Sequence, residues 1–196
     1  MQNYIKGQIA ASAATKEKIL ADEALLKIIE DVALACVNVY KNSKKTLLAG
    51  NGGSAADAQH IAAELVGRYG FDRPSIPSLA LTTDTSNLTA IGNDYGYDKV
   101  FSRQVEGMAQ EGDLFIGIST SGNSQNVINA FESAKAKGAT TVAMVGRDGG
   151  KMAQIADYAI IVPSNDTPRI QESHILIGHI ICDVIEKEMF GDGVSE

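Results

Sequence analysis

Five short apolar runs, each followed by a segment that favours helix, constrain this chain more than any other feature. The runs fall at 46–49, 78–82, 113–119, 140–145 and 158–162. None alternates polar with apolar residues, so each reads as a strand buried on both faces. Helices are expected at 54–66, 85–91, 99–108, 124–137, 151–155 and 169–189. Such alternation predicts an α/β fold, a three-layer sandwich with a five-stranded parallel sheet flanked by helices. Ligands of such sheets bind beyond the carboxyl ends of the strands.

Two further helices are expected before the first strand. One covers 4–20. The second follows from Ala24, Leu25, Ile28, Ile29, Val32, Ala33, Cys36 and Val39, which recur at three- and four-residue spacing and define one buried face. With no strand before them, these helices can pack on the α/β core or on a second subunit. A single domain over 1–196 is expected, with a helical segment at about 1–42 and the α/β core at about 45–190. Residues 192–196 are expected to fray.

The net charge of −7 weighs against a nucleic-acid binder. It leaves room for a small anion, because backbone N–H groups and helix dipoles hold phosphate inside acidic proteins. No stretch reaches the roughly 18–20 apolar residues of a membrane span, and no secretory leader is read near Met1. Cys36 and Cys182 each sit among apolar helical residues. They read as buried thiols in a reducing cytoplasm.

Two strand-to-helix loops carry the chemistry. Gly50-Asn51-Gly52-Gly53-Ser54 follows the first run, and Ser119-Thr120-Ser121-Gly122-Asn123-Ser124 follows the third. Each offers small residues, hydroxyls and free N–H groups at a helix start, which is an anion site suited to a sugar phosphate. Ser124 alone would be explained as an N-cap; four hydroxyls exceed what a cap requires. No lysine follows in P-loop spacing. The first loop also fits the dinucleotide pattern G-x-G-x-x-A. That pattern needs an acidic residue about 20 positions on, at a strand end. Asp72 has the spacing but lies in a loop, and Asp84 lies at a strand end but too far along. No nucleotide cofactor is therefore expected.

His60 and Glu64 are four residues apart on the helix after the first loop, so they share one stripe. Alone they would read as a surface pair. Small neighbours, Ala55, Ala56, Ala58, Ala62 and Ala63, allow a ligand or another backbone close in. The last helix is apolar on most sides, interrupted by Gln171, His174 and His179. All three histidines of the chain lie on these two helices. A lone buried histidine is more often structural than catalytic and needs a partner.

Nearly the whole chain resembles the SIS (sugar isomerase) family, and within it the phosphoheptose isomerases. The likeness rests on Ala49-Gly50-Asn51-Gly52-Gly53-Ser54, the His60/Glu64 pair, Glu64-Leu65-Val66-Gly67-Arg68-Tyr69, Gly92-Asn93-Asp94-Tyr95-Gly96, Phe101-Ser102-Arg103, the serine loop, Asp148-Gly149-Gly150-Lys151-Met152 and Arg169-Ile170-Gln171-Glu172. It implies the SIS fold with N-terminal helices used in oligomer packing. It also implies conversion of D-sedoheptulose 7-phosphate to D-glycero-D-manno-heptose 7-phosphate, the first step toward the activated heptose of bacterial lipopolysaccharide or capsule. A cytoplasmic homotetramer with sites shared between subunits is expected, with no nucleic acid and no membrane as partner. By residue match Asn51, Gly52, Gly53, Ser54, Glu64, Asn93, Asp94, Ser119, Thr120, Ser121, Ser124 and Gln171 bind substrate. Glu64 and His179 match the acid/base pair, and His60, Glu64, Gln171 and His179 match residues that hold zinc.

One departure stands out. Some relatives carry an aspartate directly before the Arg-Ile-Gln-Glu motif, where this chain has Pro168; Asp166 lies two residues earlier. Gln171 and His179 are also eight residues apart, ~12 Å along a straight helix and ~80° around it, so they meet one ion only by long side-chain convergence or with help from another subunit. A different class of function, a non-enzymatic SIS module that senses sugar phosphates or binds a replication initiator, would keep the serine loop without the acid/base pair.

Overall fold

A computed structural model describes residues 1–191. Residues 192–196, where fraying was expected, lie outside the described part. Two helices, α1 (Gln2–Leu20) and α2 (Glu23–Lys41), lead into β1 (Thr46–Gly50), α3 (Gly53–Val66) and β2 (Ser78–Ala80). Then come α4 (Thr85–Tyr95), α5 (Ser102–Met108), β3 (Leu114–Ser119), α6 (Gln125–Ala136) and β4 (Thr140–Gly146). The chain closes with α7 (Gly150–Ile155), β5 (Tyr158–Val162) and α8 (Thr167–Phe190).

All five strands run parallel, in the order β2-β1-β3-β4-β5. β1 and β3 are buried along their whole length, which is why their sequences read as continuous apolar runs. Alternate residues nevertheless serve opposite faces. Leu48, Ile116 and Met144 join α2, α3 and α8 in one core. Leu47, Phe115 and Val145 join α5, α6 and α7 in the other. Cys36 and Cys182 are free and buried, and burial pushes both thiols up to about 12, so they are inert packing residues.

Where the chain departs from expectation, local chemistry explains it. The single helix expected at 99–108 is a 3-10 turn, Tyr97–Lys99, followed by α5 from Ser102. Between them lie the buried Val100 and Phe101; Val100 N–H bonds to Tyr97 O, three residues back, and the four-residue pattern of α5 begins only with Val105 N–H on Phe101 O. Asp84, weighed as a ribose ligand, caps α4 instead, its carboxylate accepting from Asn87 N–H at 3.0 Å. Pro168 sits in the first turn of α8, where a missing N–H costs nothing. Asp166 is the N-cap residue there and approaches the Arg169 guanidinium at 3.9 Å.

Candidate active site

Strand order reverses between β1 and β3, and their carboxyl ends open the crevice where such sheets bind ligands. A cavity of about 160 Å³ lies there, lined by Asn51, Ser54, Ile118, Ser119, Thr120, Ser121, Ser124 and Gln171. Ser119 Oγ lies 3.0 Å from Ser124 Oγ and 3.5 Å from Ser121 Oγ. Ser124 is the N-cap residue of α6 but makes no side-chain capping bond. Its hydroxyl therefore joins the cluster rather than the helix. Gly122, at φ +65°, presses against the carbonyl of Gly149, where any Cβ would collide. Met152 N–H donates to Gly122 O at 2.9 Å, so the 149–152 segment backs the serine loop.

The two loops are locked to each other. Asn51 Nδ2 donates to Asn126 Oδ1 and Asn126 Nδ2 donates to Asn51 Oδ1, both at 2.9 Å. Tyr97 O–H adds a third contact, donating to Asn51 Oδ1 at 3.1 Å. Across the cavity the Gln171 amide lies so close to Gly53 that a Cβ there would overlap it. Asn93 and Asp94 do not line the cavity. They lie exposed on the last turn of α4, with Asn93 Nδ2 donating to Asp94 Oδ1 at 2.8 Å.

The second centre is built from α3 and α8. Gly178 lets the helices touch, because a Cβ there would lie 2.7 Å from Ile61 Cδ1. That approach brings the neighbouring side chains together. His60 Nε2 is 3.0 Å from Glu64 Oε1 and 3.1 Å from His179 Nε2. The Tyr69 ring lies 5.7 Å from that of His179. Both expected acid/base residues thus meet within one chain. His174 does not join them: it is fully buried on another side of α8, its Nε2 donating to Val145 O at 3.1 Å.

The donor set fits a metal ion. One ligand atom each from His60, Glu64 and His179 lies within 4.8 Å of the other two. Two imidazole nitrogens and a carboxylate oxygen are the donor types that zinc takes. Gln171 is directed to the serine-loop cavity by the contacts above.

Sequence reasoning missed several contributors. Asn126 and Tyr97 sit in no motif, and their partner Asn51 is distant in sequence. Asp57 lies on α3 one turn before His60. Its Oδ2 is buried without a partner, and burial pushes the carboxyl up to about 6 against the opposing pull of His60. Its three-residue spacing from His60 was the available signal.

Residues 9–146 match the SIS domain family. The chain is 74% identical over 195 residues to the phosphoheptose isomerase of Sulfurimonas denitrificans, covering 100% of both proteins. It is 63% identical to that of Aneurinibacillus thermoaerophilus, covering 97% of this chain and 96% of the relative. The structure of phosphoheptose isomerase GmhA from Neisseria gonorrhoeae superposes with a TM-score of 0.89 at 44% identity, covering 95% of this chain and 98% of that one. With its switch-point serine loop and paired histidines, the chain belongs to the SIS domain family and, within it, to the phosphoheptose isomerases.

Proposed function

We propose that the chain interconverts D-sedoheptulose 7-phosphate and D-glycero-D-manno-heptose 7-phosphate, with Glu64 and His179 as its proton-transfer groups. One observation carries this reading: α3 lines the phosphate-sized cavity at Ser54 and presents His60 and Glu64 further along the same helix. Six residues separate Ser54 from His60, ~9 Å of helix axis, which is on the scale of a phosphorylated sugar chain.

Ketose–aldose isomerisation moves a proton between C1 and C2 through an enediol. The Glu64 carboxylate takes the proton from one carbon and returns it to the other. His179 carries protons between the two oxygens. Ser119, Thr120, Ser121 and Ser124 grip the phosphate, with N–H groups of Gly52, Gly53 and the α6 start. Ser54, Asn51 and Gln171 hold the sugar. Fixing the phosphate end presents the reacting carbons to Glu64, and such orientation lowers the barrier by removing the entropy of encounter.

One nitrogen each of His60 and His179 and one oxygen of Glu64 would hold a zinc ion, leaving the second Glu64 oxygen to take the proton; Gln171, expected as a fourth donor, is turned into the serine-loop cavity instead. Bound there, the ion would polarise the sugar carbonyl as a Lewis acid.

Self-association is supported by apolar surface. Tyr4 and Ile9 of α1 are 68% and 66% exposed, and Leu176 and Ile180 of α8 flank a groove of about 210 Å³ lined by apolar residues and Glu30. Isolated apolar residues such as Tyr4 and Ile9 are ordinary on a surface, but the adjoining apolar side chains of the groove favour a partner. A homotetramer with shared sites, in which residues 1–196 form a single domain, accords with this surface. The described helices include none long and apolar enough to cross a membrane, in accord with a cytoplasmic enzyme.

Incubating the purified protein with sedoheptulose 7-phosphate and resolving the products by mass and chromatography tests the reading. The manno-heptose phosphate should form with wild type and be lost in His179→Gln. No product from folded wild type, with zinc supplied, would overturn it.

A further inference from the structure

We propose that the buried Arg73–Glu186 pair is the positioning device that holds Glu64 and His179 at their working separation. Both side chains are almost fully buried, 2% and 1% exposed, and Arg73 Nε lies 3.3 Å from Glu186 Oε2. Neither touches the reacting groups through its own side chain.

Each charge is tied to one side of the site. The Arg73 guanidinium donates to the carbonyls of Glu64 and Leu65, both at 2.7 Å, and of Gly67 at 3.1 Å. These lie at the carboxyl end of α3, where carbonyls lack helical partners and the dipole favours a cation. The main chain of Glu64 itself is therefore held. The Glu186 carboxylate accepts from three successive N–H groups, Tyr69 and Gly70 at 2.8 Å and Phe71 at 3.0 Å. Those bonds fix the turn that sets the Tyr69 ring beside His179. Glu186 is seven residues beyond His179, about two turns along and on nearly the same stripe of α8. A continuous link thus runs from Glu64 through Arg73 and Glu186 to His179.

Burying two charges is a costly way to join helices, since apolar residues of similar volume often stabilise as well or better. What the pair adds is direction. A guanidinium fork and a carboxylate bonded to consecutive N–H groups each accept only one geometry. Misplacing a catalytic group by 1 Å costs about 10²-fold in rate.

The test compares Arg73→Lys and Glu186→Gln with Asp113→Asn, and it rests on the acid/base reading above. Asp113 is an equally buried carboxylate, bonded to Lys45 N–H, Gln110 N–H and the Lys45 ammonium at the opposite end of the sheet. All three variants should lower the melting temperature. Arg73→Lys and Glu186→Gln should lower kcat about 10- to 100-fold, with KM within threefold. The double variant should be no slower than the worse single one, because both act on one link. Asp113→Asn should keep kcat within twofold at a temperature where it is folded. Near-normal kcat in folded Arg73→Lys, or an equal fall in Asp113→Asn, would overturn the proposal. Arg73→Lys keeps the charge and decides the matter if Glu186→Gln does not fold. A Glu64→Gln arm separates the two ideas: if that variant turns over normally, the acid/base reading fails on its own.

Discussion

His60 and His179 face each other through their Nε2 atoms at 3.1 Å, although 119 residues separate them in the chain. At this distance a proton or a cation must lie between the two nitrogens. Two bare nitrogens would repel unless a cation stood between them. The pair, with Glu64 Oε1 3.0 Å from His60, is thus poised to exchange a proton for a metal ion.

That exchange is measurable. Zinc added to metal-free protein should raise the melting temperature, by the equivalent of about 3 kcal/mol at a hundredfold excess over its Kd. His60→Ala should abolish the shift. Turnover should fall on chelation and return with zinc. A melting curve indifferent to zinc in wild type would remove the metal from this site.

Glu64→Gln keeps the size of the side chain and removes its basicity. Turnover should fall about 10²- to 10⁴-fold, the usual worth of a placed acid/base group. KM should change far less, because the serine loop proposed to hold the phosphate lies elsewhere. Steady-state kinetics on folded protein decide this.

Ser124→Ala separates capping from ligand binding. Loss of a used cap costs about 1 kcal/mol. Here the hydroxyl makes no capping bond and points to Ser119 Oγ, so the melting temperature should barely move. KM should rise about 10- to 100-fold, the worth of one hydrogen bond to a charged phosphate. A large stability loss with unchanged KM would return Ser124 to a capping role.

His174 gives the fold a pH dependence of its own. Burial holds its ring down to about 4, against 6.5 ordinarily. As pH falls through 6.5 the unfolded chain takes up a proton that the folded chain refuses until about 4. Its contribution to stability is therefore complete above 6.5 and is lost between 6.5 and 4, about 3 kcal/mol in all. Urea midpoints of wild type and His174→Gln at pH 7, 5 and 4 check this. The glutamine variant should lose less stability on acidification, and parallel losses would refute the assignment.

The strands and both strand-to-helix loops were legible in the sequence, because their signals are local. Runs such as Leu114–Ser119 are apolar throughout because helices cover both sheet faces. Gly and Ser accumulate where a strand must turn tightly into a helix. His60 and Glu64 were legible for the same reason, being one turn apart. His179 came from likeness to the family and not from spacing. Asn126, Arg73 and Glu186 were not legible. Each takes its meaning from a partner 75 to 117 residues away, and no periodicity encodes such a pairing. Asn93 and Asp94, read from a motif, lie on the exposed end of α4 outside the cavity.

The reciprocal amide pair of Asn51 and Asn126 has an implication for drift. Exchanging either amide for a carboxylate sets two acceptors against each other across 2.9 Å. Exchanging either for an apolar residue strands the amide opposite. A single step at either codon therefore passes through a damaged intermediate, and the two positions are expected to change together. Two positions 75 residues apart thus carry one constraint between them.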